Sequence, residues 1–361
     1  MTKRIGILTG GGDAPGLNAV IRAAVLSASN RNQWEVVGIP QGFDGLIAKA
    51  EPIPLYPETV RPILARGGTI LGAVNRGNPF VRAIDRPDGS VDYVDVAHEA
   101  LERIDELGLS AVVAAGGDGT MAIAHRLVTM GAPIVGVPKT IDNDLGGTDV
   151  TFGFDTAILT ATEALDKLQT TAESHHRVMV MEVMGRNAGW IALVSGVAGG
   201  ADAILIPEIP FDINVVCERL ERLRAAGRLY CLVVVAEGAA PVGGQQEFYI
   251  RGRGLLDARL GGISYLVGNA LADCLCADVR VIVLGHLQRG GQPTPRDRWL
   301  ATRFGAAAVE LIEQQRWGWM VALQGNNITS VLMEDAVRTL RVVDADGEMV
   351  RMARDLGIVF G

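Results

Sequence analysis

Short apolar runs closed by glycines or polar clusters alternate along this chain with stretches whose apolar residues recur at helical spacing. Residues 4–9 read as a strand, followed by Gly10-Gly11-Gly12-Asp13-Ala14-Pro15-Gly16. From Leu17 to Ser29, Leu17, Val20, Ile21, Ala24 and Val25 fall on one helical face. The same reading predicts strands at 36–40, 111–115, 133–137, 178–184, 203–208, 229–236 and from 280 onward. It predicts helices at 96–107, from 116–120 to 130, and at 156–171, 214–226, 262–274 and 298–315. The proline-rich stretch 51–62 reads as irregular, and glycines at 67–77 flank a short apolar strand ending in Asn75-Arg76. Residues 78–95 look like a surface hairpin or loop insertion, and the Gly/Pro/Gln-rich stretch 239–254 like a mobile one. Alternating strands and helices predict an α/β fold. With 361 residues the chain is too long for one typical domain, so two are expected.

Composition narrows the classes. Hydrophobic residues make up 48% and charged residues 20%, the balance of a soluble globular protein. The net charge of −8, with no basic arm, argues against nucleic acid as a partner. An anionic substrate therefore needs individually placed Arg or Lys. Cys217, Cys231, Cys274 and Cys276 form no CxxC pair and are expected to be reduced, mostly buried thiols of a cytoplasmic protein. The N-terminus enters a strand at once, so no signal peptide is expected, and no apolar stretch approaches the roughly 18 residues of a membrane span.

The candidate chemistry sits at strand ends. Pro138-Lys139-Thr140-Ile141-Asp142-Asn143-Asp144 places two carboxylates, an amide and a Lys directly after a core strand. In an extended segment Asp142 and Asp144 would share one side. The alternative is an Asx-rich turn capping the next helix. Gly116-Gly117-Asp118-Gly119-Thr120 is a second strand–glycine–helix junction, where Asp118 can hold Mg²⁺ or cap the helix. The 10–16 loop is a third such junction, though it is neither a Walker A loop nor GxGxxG. Open α/β sheets bind ligands at the carboxyl ends of their strands. Arg76 can reach a phosphate or stand solvated on the surface. The pair His175-His176 points two ways on an extended chain, which argues against a metal site there.

Gly11-Gly12-Asp13-Ala14-Pro15-Gly16, the 116–120 and 138–144 stretches, Met184-Gly185-Arg186 and Leu284-Gly285-His286-Leu287-Gln288-Arg289-Gly290-Gly291 together resemble the A-type 6-phosphofructokinases. The resemblance runs through most of the chain and is weakest at 78–95, 238–254 and after about 320. It implies two Rossmann-like α/β/α domains with the active site in the cleft between them. One would comprise 1–153 plus about 288–338 and bind the nucleotide; the other, 154–287 plus about 339–361, would bind fructose 6-phosphate. The implied reaction is phosphoryl transfer to the 1-hydroxyl of fructose 6-phosphate, with ATP and Mg²⁺.

In that resemblance Asp142 is the base, Arg186 stabilises the transferring group and Thr140 assists. Gly12, Arg76, Gly77, Gly117, Gly119, Thr120 and Lys139 contact the donor, and Asp118 holds Mg²⁺. Thr140, Ile141, Asp142, Met184, Gly185, Arg186, Glu237, His286 and Arg289 line the sugar phosphate site. Arg177 and Arg280 match arginines that reach in from a neighbouring subunit, so a homotetramer is implied.

Three departures matter. The family's phosphate-contacting Arg is expected where Asn75 stands, one place before Arg76. Pyrophosphate-dependent members carry Asp at the Gly119 position and Lys at the Lys139 position; ATP-dependent members carry Gly at the first and mostly Gly at the second. A carboxylate at 119 would occupy and repel the α-phosphate region, so Gly119 weighs for ATP. The bacterial effector site keeps Arg22, with Asp202 as a substitute acidic metal ligand. Leu26, Pro57 and Ala226 replace its cations, so regulation through that site is expected to be absent or to use another ligand. The alternatives are a pyrophosphate-dependent phosphotransferase and a silent regulatory subunit that binds sugar phosphate.

Overall fold

The computed structural model describes residues 3–74, 77–85, 91–250 and 259–361. In chain order the strands are β1 (Arg4–Thr9), β2 (Glu35–Ile39), β3 (Ile53–Leu55), β4 (Arg82–Asp85), β5 (Val91–Val94), β6 (Leu109–Gly116), β7 (Ile134–Thr140), β8 (Phe152–Gly153), β9 (Val178–Val183), β10 (Ala203–Leu205), β11 (Cys231–Ala236), β12 (Phe248–Ile250), β13 (Arg259–Leu260), β14 (Val279–Val283), β15 (Trp319–Gln324) and β16 (Asn327–Leu332). The chain forms two compact units. The first is Met1–Ile141, Leu145–Asp155 and Arg289–Leu340; the second is Asp142–Asp144, Thr156–Gln288 and Arg341–Gly361.

The sheet of the first unit runs β16-β15-β7-β6-β1-β2-β3, with β8 paired to β7. Its centre is parallel, and β3 and β16 close the two edges antiparallel. Runs such as Ala111–Ala115 and Ile134–Val137 are apolar on both sides because helices cover both faces of the sheet. One core gathers Ile5, Ile7, Val20, Phe152 and Phe304; the other gathers Leu8, Ile39, Phe43, Met121 and Leu127. From β1 the chain goes to β2 on one side and later to β6 on the other. The order therefore reverses between β1 and β6, and the glycine stretches Gly10–Gly16 and Gly116–Thr120 both emerge at that reversal.

The second unit has a four-stranded parallel sheet, β10-β11-β9-β14. Its core packs Val178, Val180, Val233 and Val235 against Val216, Leu220, Val267 and Leu271 of the helices Ile213–Ala225 and Ile263–Leu275.

Several local expectations need correction. Strand β7 continues through Pro138, Lys139 and Thr140, because β8 pairs with its far end. The 51–62 stretch is ordered into β3 and the helix Pro57–Val60, whose first position suits proline. Residues 66–74 make no strand. Asn18, fully buried, donates to the Arg66 and Gly67 carbonyls and accepts from Ile70 N, folding the segment into a turn. The expected hairpin exists as β4–β5. Asn75 and Arg76 lie outside the described residues, as do 251–254, the end of the stretch expected to be mobile. Its neighbours form β12 and β13, paired antiparallel.

The cysteine expectation also changes. Cys217 and Cys274, 57 residues apart, are joined in a disulfide between the helices Ile213–Ala225 and Ile263–Leu275, with Cα atoms 6.4 Å apart. Those helices pack side by side, a proximity that residue spacing does not reveal. Cys231 is buried, and burial followed by the nearby Asp202 charge pushes its thiol up to about 12. Cys276 is exposed. Native alkylation at pH 8 without reductant is therefore expected to label Cys276 and spare Cys231. Peptide mass mapping checks this; equal labelling of both would contradict the buried, neutral thiol. Among the described residues, no helix is long and apolar enough to cross a membrane.

Candidate active site

In the first unit the two glycine stretches are laced together. Gly10 N donates to Ala115 O at 2.9 Å, joining the ends of β1 and β6. Thr120 is 5% exposed, and its side chain fills the space between the two stretches. A Cβ at Gly116 would stand 2.2 Å from Thr120 Oγ1, and one at Gly10 would stand 2.5 Å from it. The glycines are thus required by close approach. Lys139, 3% exposed, runs beneath the first stretch and donates from Nζ to the Gly12 carbonyl. Arg289 Nη1 donates to the Asp13 carbonyl at 3.0 Å, so this residue, expected at the sugar site, braces the first glycine stretch within its own unit. At Gly77 a Cβ would stand 3.2 Å from Asp44.

The helix Asp118–Thr129 starts directly after β6. Its N-cap is Gly117, with no side-chain cap, so Asp118 is the first helical residue and does not fill the capping role. Asp118 and Gly119 are exposed. The first N–H groups of a helix have no intrahelical acceptor, and uncapped they suit an anion. Gly119 is not a structural glycine: a Cβ there meets nothing within 4 Å. Open space therefore surrounds the position that separates the two donor readings. Among the described residues, no three His, Cys, Asp or Glu side chains converge on a metal site. A single carboxylate completed by phosphate oxygens is how Mg²⁺ is usually held.

At the end of β7 the chain leaves the first unit after Ile141, which is fully buried, and Asp142–Asp144 belong to the second. The Thr140 carbonyl accepts from Thr151 Oγ1 at 2.7 Å. The segment is not extended, as the side-chain alternation assumed. Asn143 has φ +54°, in the left-handed region that Asn tolerates better than most residues. Asn143 and Asp144 are 3% and 7% exposed, whereas Asp142 is half-buried, so the two carboxylates differ in access.

In the second unit a cavity of about 460 Å³ opens at the carboxyl ends of β9, β11 and β14. Met184, Glu237 and His286 line it, together with Leu260 and Tyr265. Gly185 has φ +138°, and the Arg186 carbonyl that follows is tightly enclosed. A Cβ on Gly238 would stand 2.0 Å from it, and Gln246 Nε2 donates to it at 3.2 Å. The Arg186 side chain is exposed.

Arg177 and Arg280 lie elsewhere. Both pair with Asp278, Arg177 Nε at 2.6 Å and Arg280 Nη2 at 3.1 Å. Arg177 precedes β9 and Met184 follows it, so they stand at opposite ends of that strand, about 20 Å apart at 3.3 Å per residue. Asp202, offered as a metal ligand, is instead an interior group. It is 3% exposed, its Oδ1 is 2.6 Å from Arg228, and its Oδ2 accepts from Leu232 N at 2.9 Å. Burial, only partly offset by these partners, raises its carboxyl above the usual range.

Sequence reasoning missed Glu182, 2% exposed, inside the otherwise apolar β9. Its carboxylate lines the cavity and accepts from Gly262 N, Ser264 N and Ser264 Oγ at 3.1, 3.0 and 2.5 Å, fixing the start of the helix Ile263–Leu275. A lone acid in a fully buried strand was the available signal.

The family model described as Phosphofructokinase matches residues 4–312. The chain is 52% identical over 359 residues to the ATP-dependent 6-phosphofructokinase of Chloroflexus aggregans, covering 99% of this chain and 98% of that one. It is 47% identical over 347 residues to the pyrophosphate–fructose 6-phosphate 1-phosphotransferase of Amycolatopsis mediterranei, covering 95% and 97%. Among solved structures, phosphofructokinase from Saccharomyces cerevisiae superposes with a TM-score of 0.76 at 31% identity, over 93% of this chain and 45% of that one.

Proposed function

The chain belongs to the phosphofructokinase family, and we propose that it transfers the γ-phosphoryl group of ATP to the 1-hydroxyl of fructose 6-phosphate. The observation that carries the donor is Gly119: an exposed helical start with no side chain and empty space where one would be. The first unit then supplies the donor's anion site. Its uncapped helix N-terminus and its glycine stretches present N–H groups to phosphate. Asp118 would hold Mg²⁺ together with the donor's phosphate oxygens, neutralising charge on the polyphosphate.

The second unit supplies the acceptor site and the base. The cavity of Met184, Glu237 and His286 takes the sugar. Asp142 accepts the proton of the 1-hydroxyl as that oxygen bonds to the γ-phosphorus and the bond to the ADP oxygen breaks. Arg186, exposed on a rigid turn, offsets charge on the transferring group. Arg177 and Arg280 form a cationic pair at the far end of β9 and, in this reading, serve the sugar phosphate of a neighbouring copy in a homotetramer. The setting is taken as cytoplasmic, although a disulfide such as Cys217–Cys274 is uncommon there. Asp202, held by Arg228, supports an effector site that does not work through that carboxylate.

The second reading, pyrophosphate as donor, is favoured by Lys139, the residue that the resemblance associates with that donor. Its commitment to the Gly12 carbonyl gives it a bracing role under the first glycine stretch that either donor accommodates. Initial rates with fructose 6-phosphate and Mg²⁺, comparing ATP with pyrophosphate, decide between them. Activity with ATP alone is expected, and activity with pyrophosphate alone would overturn the donor assignment. Gly119→Asp should fold normally, since space is open and acids suit a helix start. Repulsion of about 1–3 kcal/mol at a surface site should lower kcat/KM for ATP on the order of 10- to 100-fold. An unchanged value would remove Gly119 from donor recognition.

A further inference from the structure

Arg341 lies in the tail, where the family motifs are weakest, yet it touches the loop that carries the base. Its backbone N donates to the Asp144 carbonyl at 2.8 Å, and its Nη1 donates to the Asn143 carbonyl at 3.2 Å. The two carbonyls after Asp142 are thus held by one residue almost two hundred positions away. Its guanidinium also lies over the Trp190 ring, 4.1 Å from the centroid, and the Trp190 Nε1 donates to the Arg341 carbonyl at 2.9 Å. Glu208 closes the arrangement, accepting from Gly189 N at 2.9 Å and from Val343 N at 2.8 Å. All of these residues belong to the second unit.

We propose that Arg341 is a positioning residue for phosphoryl transfer, holding the left-handed turn at Asn143 so that Asp142 presents its carboxylate at a fixed place. Asn143 sits at φ +54°, a conformation that relaxes unless the surroundings hold it. Arg341 grips both carbonyls beyond the turn and is itself oriented by stacking on Trp190 and by the Trp190 hydrogen bond. Trp190 begins the helix Trp190–Ala198, four residues after Arg186. One side chain thus ties the segment carrying the base to the segment following the transition-state arginine. A misplacement of about 1 Å in such a group costs up to about 100-fold in rate.

This inference rests on Asp142 being the base, and the test separates the two. Four enzymes are compared with fructose 6-phosphate and ATP: wild type, Arg341→Ala, Asp142→Asn and the double variant. Arg341→Ala is expected to lower kcat about 10- to 100-fold, with KM for both substrates within about threefold. Arg341→Lys, which keeps a cation over Trp190, should recover part of the loss. In the Asp142→Asn background, Arg341→Ala should have almost no further effect, because the group it positions is gone. A merely structural role would give the same fold-loss in both backgrounds and would overturn the proposal; so would a kcat within twofold of wild type for Arg341→Ala. If that variant does not fold, Arg341→Gln, which keeps an N–H donor, enters the same cycle with the same criteria. Full activity of Asp142→Asn alone would instead remove the base assignment.

Discussion

Asp142→Asn will turn over fructose 6-phosphate and ATP about 10²- to 10⁴-fold more slowly than wild type, the usual contribution of a positioned general base. The substitution keeps the shape of a half-buried side chain at the start of a turn whose next two residues are buried, so the fold should hold. Binding should hold as well. The cavity proposed for the sugar is lined by Met184, Glu237 and His286, none of which changes, so KM for fructose 6-phosphate is expected within about threefold. Steady-state kinetics with both substrates varied, alongside thermal melting, test this. Equal kcat for the variant and wild type would mean that another group accepts the hydroxyl proton. A large rise in KM with kcat preserved would make Asp142 a binding residue.

Arg186→Ala should lose about 10²- to 10³-fold in kcat, the range seen when one stabiliser of developing transition-state charge is removed. The structure makes this variant informative. The Arg186 backbone is held by the Gln246 hydrogen bond and by the close approach of Gly238, while its side chain is exposed. Truncation should therefore leave the melting temperature unchanged and remove only the guanidinium. Arg186→Lys should restore a minor part of the rate, because an ammonium replaces a planar, bidentate donor with a point charge. A kcat within twofold of wild type for Arg186→Ala would exclude the residue from the transfer step. Gly238→Ala is the contrasting control: a Cβ placed 2.0 Å from the Arg186 carbonyl must push that turn aside.

The motif positions were legible because the chemistry is written locally. A buried strand followed at once by glycines and a carboxylate can be recognised from neighbours in sequence, and both glycine stretches, the 138–144 stretch and the Met184–Arg186 turn lie at strand ends in the fold. The reading erred where local pattern was asked for conformation. It weighed an extended 142–144 against an Asx-rich turn, and Asn143 turns left-handed. It read a strand into 67–77, where the buried Asn18 folds 66–70 into a turn. It took four free thiols from residue spacing, whereas packing brings Cys217 to Cys274.

By itself the sequence determined the α/β alternation, the family, and the residue types available for phosphoryl transfer, because periodicity and strand-end clusters are properties of short windows. Only the tertiary structure decided which of those residues meet. It set Arg177 and Arg280 on Asp278 at the far end of β9 from Met184, and sank Lys139 beneath Gly12. It gave Glu182 three donors at a helix start, and brought Arg341 to Asn143 and Trp190 across separations of 198 and 151 residues. Contacts at such separations depend on how helices and sheets pack, and no short window of sequence carries that information.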